Sequence, residues 1–376
     1  VKEKLENTVL VIRCTLFFIL HGSSARKEIQ PRKIVIVQMA KLGDMVCTTP
    51  MFRAFKTAYP DAELAVVGNK INKEVLEGNT DVDKYYIFDG NITRIIEWFK
   101  KEKFDAAFLT APNFPVLAAL YLSGVKCIVV PKVTGGFSSQ ETRSYKILRN
   151  LVYTQNHPMG SYAPREYLRR LEEINIFSSD TKKFLFYSDR GKMSAEHLLN
   201  NIEETFLVGI SPAAGNRIKQ WPAERFGIIA DYLISQYGAH IFILGGKQDL
   251  EESASMKDAM KNLNAVTDLT SILSVDELKA FISKLKLFVS VDTGPVYIAE
   301  AFDVPTVDIT GPVDEKEQPP IGPRHRVVHI KNRKKPALFV MNARVYDRNE
   351  AIRQVEEITP EMVINEIDNL IRFLRA

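Results

Sequence analysis

Cysteine is scarce in this chain of 376 residues. Cys14, Cys47 and Cys127 stand far apart, which excludes a disulfide scaffold and a metal-binding or redox spacing and fits a reducing compartment. The six histidines (His21, His157, His197, His240, His325 and His329) lack ligand spacing, so no metal is expected. The sequence contains no G-x-x-x-x-G-K-[ST], no G-x-G-x-x-G, no HExxH and no G-x-S-x-G, so the phosphate loop, the dinucleotide fingerprint, the zinc-protease helix and the nucleophile elbow are all missing. No apolar run reaches bilayer length. The strongest, Val9 to Leu20, is interrupted by Arg13. A signal peptide would want basic residues first and a small-residue cleavage site; Lys2 and Lys4 are balanced by Glu3 and Glu6, which argues against that reading. Two readings stay open for this segment. It lies along a membrane face with Arg26, Lys27, Arg32 and Lys33 as basic anchors, or it packs on its own domain. The net charge of +4 permits an anionic substrate or surface and does not call for nucleic acid.

What is present is the composition of a soluble globular protein, 45% hydrophobic and 26% charged, at a length that suggests about two domains. From Lys33 onward short apolar runs alternate with helical spacing: Ile34–Gln38, Leu64–Gly68, Tyr85–Phe88, Ala106–Leu109 and Lys126–Val130 read as strands. Thr48-Thr49-Pro50 reads as a helix start. The stretch Lys132–Pro164, with Arg143, Lys146 and Arg149, breaks the rhythm and reads as a long functional or mobile loop. A second alternating series runs from Leu207–Ser211 through Ile241–Leu244 and Phe288–Val291 to a last strand at Thr306–Ile309. The pattern predicts α/β architecture: parallel sheets in two Rossmann-like lobes facing one another. The expected divisions are an apolar N-terminal segment (1–31), a first domain (32–190), a second domain (191–358) and a closing helix (359–376) capped by Thr359.

Parallel sheets bind ligands at strand ends, and four strand-end turns carry candidate groups. Asp44, after Gly43, is either a helix cap or a general base for an acceptor hydroxyl. In Ser211–Pro222, the small residues Ala213, Ala214 and Gly215 would let phosphates approach backbone amides, and Arg217 and Lys219 supply positive charge for a departing diphosphate. After Gly245-Gly246, Asp249 suits a ribose hydroxyl or a simple cap. The turn Asp292-Thr293-Gly294-Pro295 opens a helix whose first amides form an anion site, or it is a plain capped turn. Asp81-Val82-Asp83 mimics a metal–diphosphate motif but sits before a strand and reads as a solvated turn.

Taken in order, these turns resemble glycosyltransferase family 9, the ADP-heptose:lipopolysaccharide heptosyltransferases. The matching residues are Leu42-Gly43-Asp44 with Thr48-Thr49-Pro50, Lys219-Gln220-Trp221-Pro222 with Phe226, Leu244-Gly245-Gly246 with Asp249, Asp268-Leu269-Thr270-Ser271, Asp292-Thr293-Gly294-Pro295 with Ala299, Val304-Pro305-Thr306 and Gly311-Pro312. The resemblance implies a GT-B fold, an acceptor-binding first domain, a nucleotide-sugar-binding second domain and a closing helix that crosses back to the first. It implies inverting transfer of heptose or a related sugar, without metal or other cofactor, from an ADP- or UDP-linked donor to a lipopolysaccharide-core or other surface glycan acceptor. On this resemblance Asp44 is the base and Lys219 neutralises the diphosphate. Ala214, Gly215, Arg217, Gly246, Asp249, Asp292, Thr293, Gly294 and Tyr297 fall on the donor, and Gly43, Arg143 and Lys146 on an anionic glycolipid or oligosaccharide acceptor. A cytoplasmic enzyme is implied, alone or peripheral on the inner membrane. The chain departs from the pattern at Tyr297, where the family usually has histidine, at Ala213-Ala214, where hydroxyl residues are common, and at Lys331-Asn332-Arg333-Lys334-Lys335, which reads as a solvated loop or an anionic-surface contact. Two other readings are a sugar-nucleotide 2-epimerase of the same two-lobed build and a binding protein whose catalysis has decayed.

Overall fold

The computed structural model describes residues 2–24, 29–200, 202 and 206–376, with side chains from residue 6 onward. The chain divides into two compact units. The first comprises residues 1–73, 79–182 and 340–344, the second 74–78, 183–339 and 345–376. The change of unit near the middle of the chain thus falls at Lys182/Lys183, ahead of the expected 190. Two polar ties hold the intervening segment in the second unit: Lys183 pairs with Glu300 at 2.6 Å, and the Ser188 hydroxyl donates to Asp276 at 2.5 Å.

In the first unit, β1 (Lys33–Val37), β2 (Glu63–Gly68), β3 (Lys84–Ile87), β4 (Ala106–Leu109), β5 (Cys127–Thr134) and β6 (Tyr153–Pro158) form a parallel sheet in the order β3-β2-β1-β4-β5-β6. Ile34, Val35, Ile36 and Leu64 to Val67 are wholly buried, as strands covered on both faces must be. On one face Val35, Val37, Ala65, Val67, Ala107 and Leu109 pack against Ile95, Phe99, Phe114 and Leu117 from the covering helices.

Three sequence expectations change here. The stretch read as a long loop contains a short helix, Arg143–Leu148, and the edge strand β6, in register with β5 from Val129↔Tyr153 to Thr134↔Pro158. Its side chains are mixed because an edge strand leaves Thr154 and Asn156 exposed. The helix expected from Thr48 begins earlier and spans Leu42–Ala58, with Pro50 inside it. Proline removes the amide that would bond the Val46 carbonyl, and the Thr49 hydroxyl donates to that carbonyl instead, at 2.8 Å. The N-terminal helix, Lys2–His21, buries Leu10 and Cys14 in the first unit's core and is held at its end by the Tyr121 hydroxyl on Gly22 O, at 2.5 Å. Of the basic anchors expected after it, Arg26 and Lys27 lie outside the described residues. Lys33 is committed to Glu63, at 2.8 Å, and to Glu102. Asp83 is a structural turn residue, accepting from Leu64 N and pairing with Lys56, both at 2.7 Å.

The second unit repeats the plan. Strands β7 (Phe206–Ser211), β8 (Ala239–Ile243), β9 (Val266–Asp268), β10 (Leu287–Val291), β11 (Thr306–Ile309) and β12 (His325–Val328) are ordered β12-β11-β10-β7-β8-β9, again parallel. Both sheets therefore have the Rossmann order, in which the chain switches direction of growth beside the first strand. The final strand is β12, beyond the expected Thr306–Ile309. Its four residues at a sheet edge carry little apolar signal. The closing helix, Pro360–Arg375, is grouped with this unit. Val363, Ile367, Leu370 and Ile371, spaced to share one helical face, are buried with Val307, Ile309 and Val328. Each such burial contributes about 2 kcal/mol. The hydroxyls of Tyr232 and Tyr237 donate to Asp368 on the same helix, at 2.8 and 2.7 Å.

Candidate functional site

Each unit carries its own cluster at the carboxyl ends of its strands. In the first, Gln38 follows the end of β1. Its side-chain amide donates to Thr48 Oγ1 at 3.0 Å and to Asp44 O at 3.3 Å, tying the strand end to the helix that follows. Asp44 is half-buried in that helix's first turn, next to the buried Gly43, and its Oδ2 accepts the Lys41 amide at 3.1 Å. The cap reading of Asp44 therefore holds. The same bond fixes the carboxylate at the strand end. Around it, Asn69 and Asn72 donate to Ala40 O at 2.9 and 3.0 Å. Beside β1, the Thr110 hydroxyl at the end of β4 donates to Val37 O at 2.9 Å. Arg170, 1% exposed, donates to Thr110 O and faces His157 Nδ1 at 3.1 Å. Burial, then the charges of Arg170 and Arg169, push His157 down to about 3. Arg143 and Lys146 sit exposed on the helix Arg143–Leu148, which packs on the N-terminal helix. No hydrogen bond or ion pair joins either to Asp44 among the described residues.

In the second unit the switch point lies between β7 and β10, and two side chains bridge it. Lys219, from the short 3-10 turn Arg217–Lys219 after β7, donates to Asp292 Oδ2 at 2.7 Å, from the turn after β10. Asp292, 4% exposed, also accepts from the Tyr297 hydroxyl at Oδ1. Thr293 is the N-cap of the helix Gly294–Ala301, and its side chain makes no capping bond. The helix therefore opens with Gly294 and Pro295 beside a lysine whose only described ion-pair partner is Asp292. Helix-start amides and an ammonium are groups of the kind that bind anions.

The other donor-side candidates divide. Ala214 is buried in the second unit's core, and Gly215 is exposed at the loop apex. Asp249 accepts the Gly246 amide at 2.7 Å, closing its own turn, and burial raises its pKa above the usual carboxylate range. A Cβ at Gly246 would meet only the far end of the flexible Gln248 side chain, at 2.6 Å, which can swing aside. Arg217 points elsewhere, lining a cavity of about 510 Å³ with Gln220, Trp221, Glu252 and Val355; neither Lys219 nor Asp292 borders that cavity. The basic run near 331 is partly structural: Arg333 donates to Gly311 O at 2.9 Å and Val313 O at 3.0 Å and pairs with Glu315, so the solvated-loop reading fails for this residue.

Sequence reading passed over one residue behind this cluster. Asp308 on β11 is 0% exposed, and neither carboxylate oxygen has a hydrogen-bond partner. Burial, then the charge of Asp292, raises its pKa well above the usual range, with Lys219 opposing. The signal was a carboxylate inside the β-branched strand Thr306-Val307-Asp308-Ile309.

Among the described residues, no group of three or more His, Cys, Asp or Glu side chains is placed to hold a metal ion. Two units with the Rossmann order have the architecture of the GT-B class, and one of them carries an ammonium beside a helix start at its switch point. The chain belongs to glycosyltransferase family 9 (heptosyltransferase), whose family model matches residues 152–345. It is similar to lipopolysaccharide heptosyltransferase 3 of Escherichia coli, 22% identical over 287 residues, covering 72% of this chain and 81% of that one. In fold it resembles the glycosyl transferase family 9 protein of Veillonella parvula DSM 2008, with a TM-score of 0.76, 19% identity, and 93% and 100% of the two chains covered. It also resembles the E. coli ADP-heptose lps heptosyltransferase II, with a TM-score of 0.72, 18% identity, and 92% and 100% covered. The family assignment makes the chain a glycosyltransferase and does not favour the 2-epimerase or decayed-binder readings.

Proposed function

We propose that this enzyme moves heptose or a related sugar from an ADP- or UDP-linked donor to a lipopolysaccharide-core or other surface glycan acceptor, with inversion and without a metal. The observation that carries the reading is the Lys219–Asp292 bond across the switch point, beside the start of the helix Gly294–Ala301. Negative charge grows on the diphosphate as the glycosidic bond breaks. Groups already fixed where that charge appears lower the barrier most. Lys219 changes partner from Asp292 to the diphosphate, and the Thr293 hydroxyl with the first amides of the helix bind the phosphate oxygens. Asp292 and Tyr297 then face sugar hydroxyls, Asp249 the nucleoside, and Ala214 and Gly215 let the phosphates approach the backbone.

In the first unit, Asp44 takes the proton of the acceptor hydroxyl as the new bond forms. The Lys41 amide keeps the carboxylate at the strand end. Arg143 and Lys146 are proposed to meet the anionic acceptor. The names of the similar proteins, which are lipopolysaccharide heptosyltransferases, support an acceptor of this class; the proposed place of action is the cytoplasm or the cytoplasmic face of the inner membrane. The test is transfer itself. The enzyme is incubated with a lipid extract and candidate nucleotide sugars, and released nucleoside diphosphate and glycosylated lipid are followed by mass spectrometry. Both products should appear together, and Asp44→Ala should abolish both. Undiminished transfer by Asp44→Ala would remove the base, and interconversion of nucleotide sugar without acceptor would replace the reaction class.

A further inference from the structure

The N-terminal helix Lys2–His21 has apolar residues on two sides. On one side Leu10 and Cys14 are buried in the first unit, with Phe17 packed against them. On the other, Val9, Ile12, Leu16, Ile19 and Leu20 recur at helical spacing and form a second stripe centred about 135° round the helix from the first. These five side chains are 49% to 77% exposed. A soluble helix packed on its domain needs one apolar stripe, and its outer face is ordinarily polar. The outer stripe is therefore surplus to folding. Among the described residues no helix is long and apolar enough to cross a membrane.

Charge decides what covers the stripe. Arg13 is exposed at its margin. The helix Arg143–Leu148, in contact with the N-terminal helix, adds exposed Arg143 and Lys146, together with Ile147, which is also exposed. None of the three cations makes an ion pair among the described residues. Glu6 is the one exposed carboxylate described on the N-terminal helix. The N-terminal helix of a second copy would offer one described exposed carboxylate, Glu6, to three cations. An anionic lipid surface would bury the stripe and neutralise the cations together. We infer that the outer stripe of the helix Lys2–His21 is a docking face for an anionic bilayer surface, the helix lying along it with Arg13, Arg143 and Lys146 at the headgroups. The inference is independent of the transfer reaction. If both hold, the face that binds lipid continues into the helix proposed to meet the acceptor.

The test is co-flotation of the full chain with vesicles of phosphatidylcholine, alone or mixed with phosphatidylglycerol. The wild type should bind the mixed vesicles, more weakly as salt is raised. Each cation should contribute about fivefold. Leu16→Glu with Ile19→Glu should weaken binding about a hundredfold, with thermal unfolding unchanged and transfer to a water-soluble acceptor unchanged. Failure of the wild type to bind, equal binding to both vesicle types, or full binding by the double variant would overturn the inference. So would a wild-type dimer that the double variant makes monomeric in the absence of vesicle binding, since a second copy would then be the occupant. Loss of transfer on every donor–acceptor pair, with vesicle binding intact, would instead count against the proposed reaction and leave the docking face standing.

Discussion

Lys219 Nζ lies 2.7 Å from Asp292 Oδ2, joining turns that are 73 residues apart in sequence and adjacent at the switch point of the second sheet. The lysine side chain is 20% exposed and the carboxylate 6%, so the ammonium is the accessible end of the pair. On the proposed function, Asp292 aims the charge and the diphosphate competes for it.

Asp292→Asn should lower kcat by roughly ten- to a hundredfold, because the ammonium loses the partner that fixes it and an interaction made in the transition state weakens. Steady-state kinetics with saturating acceptor would show this. Unchanged kcat would place Asp292 outside the machinery.

Tyr297→Phe removes the hydroxyl that donates to Asp292. A lost hydrogen bond to a charged group should cost about 1.5–3 kcal/mol of stability, read by denaturant unfolding, and should raise donor KM. Tyr297→His restores a donating group and should recover most of both losses. If phenylalanine is silent in both assays, the hydroxyl does not support Asp292.

Asp308 makes the high-pH side of stability informative. Its folded pKa is raised, chiefly by burial, so between the ordinary carboxylate value of about 4 and the folded value the unfolded chain binds fewer protons. Stability from this group is therefore lost as pH rises, at about 1.4 kcal/mol per pH unit. Asp308→Asn should flatten that slope relative to wild type. Parallel curves for the two proteins would show that Asp308 does not titrate differently on folding.

His157 acts in the opposite direction. Its folded pKa is depressed to about 3, first by burial and then by Arg170 and Arg169, against about 6.5 when unfolded. Stability is complete above the unfolded value and is lost as pH falls from about 6.5 towards 3, because the unfolded chain takes the proton first. His157→Gln should lessen this acid sensitivity, as measured by thermal unfolding across that range. An unaltered acid limb would contradict the assignment.

The alternation of strands and helices was legible because a parallel sheet buried on both faces must be written in continuous apolar runs, as in Ile34–Val37 and Phe288–Val291. The edge strands β6 and β12 were not, since Thr154 and Asn156 face solvent and β12 has only four residues. The closing helix gave its apolar face but not the sheet it would cover; that depends on Val307, Ile309 and Val328, far away in sequence. At the site, the turns at Asp44, Lys219 and Asp292–Gly294 were visible as strand-to-helix chemistry. The Lys219–Asp292 bond was hidden by its 73-residue separation, and the turn at Arg217–Lys219 sends neighbouring cations to different surroundings. Asp308 could have been found from its setting alone, because a charged residue in a β-branched strand needs a reason to be there.

The most direct test is calorimetric titration of ADP and UDP into the wild type and Lys219→Ala. The wild type should bind one of these nucleotides at one site per chain, and the variant should bind it at least about tenfold more weakly, the loss expected on removing a charge-assisted phosphate contact. Equal affinities for the two proteins would mean that Lys219 does not hold the diphosphate, and the switch-point account of catalysis would fail with it.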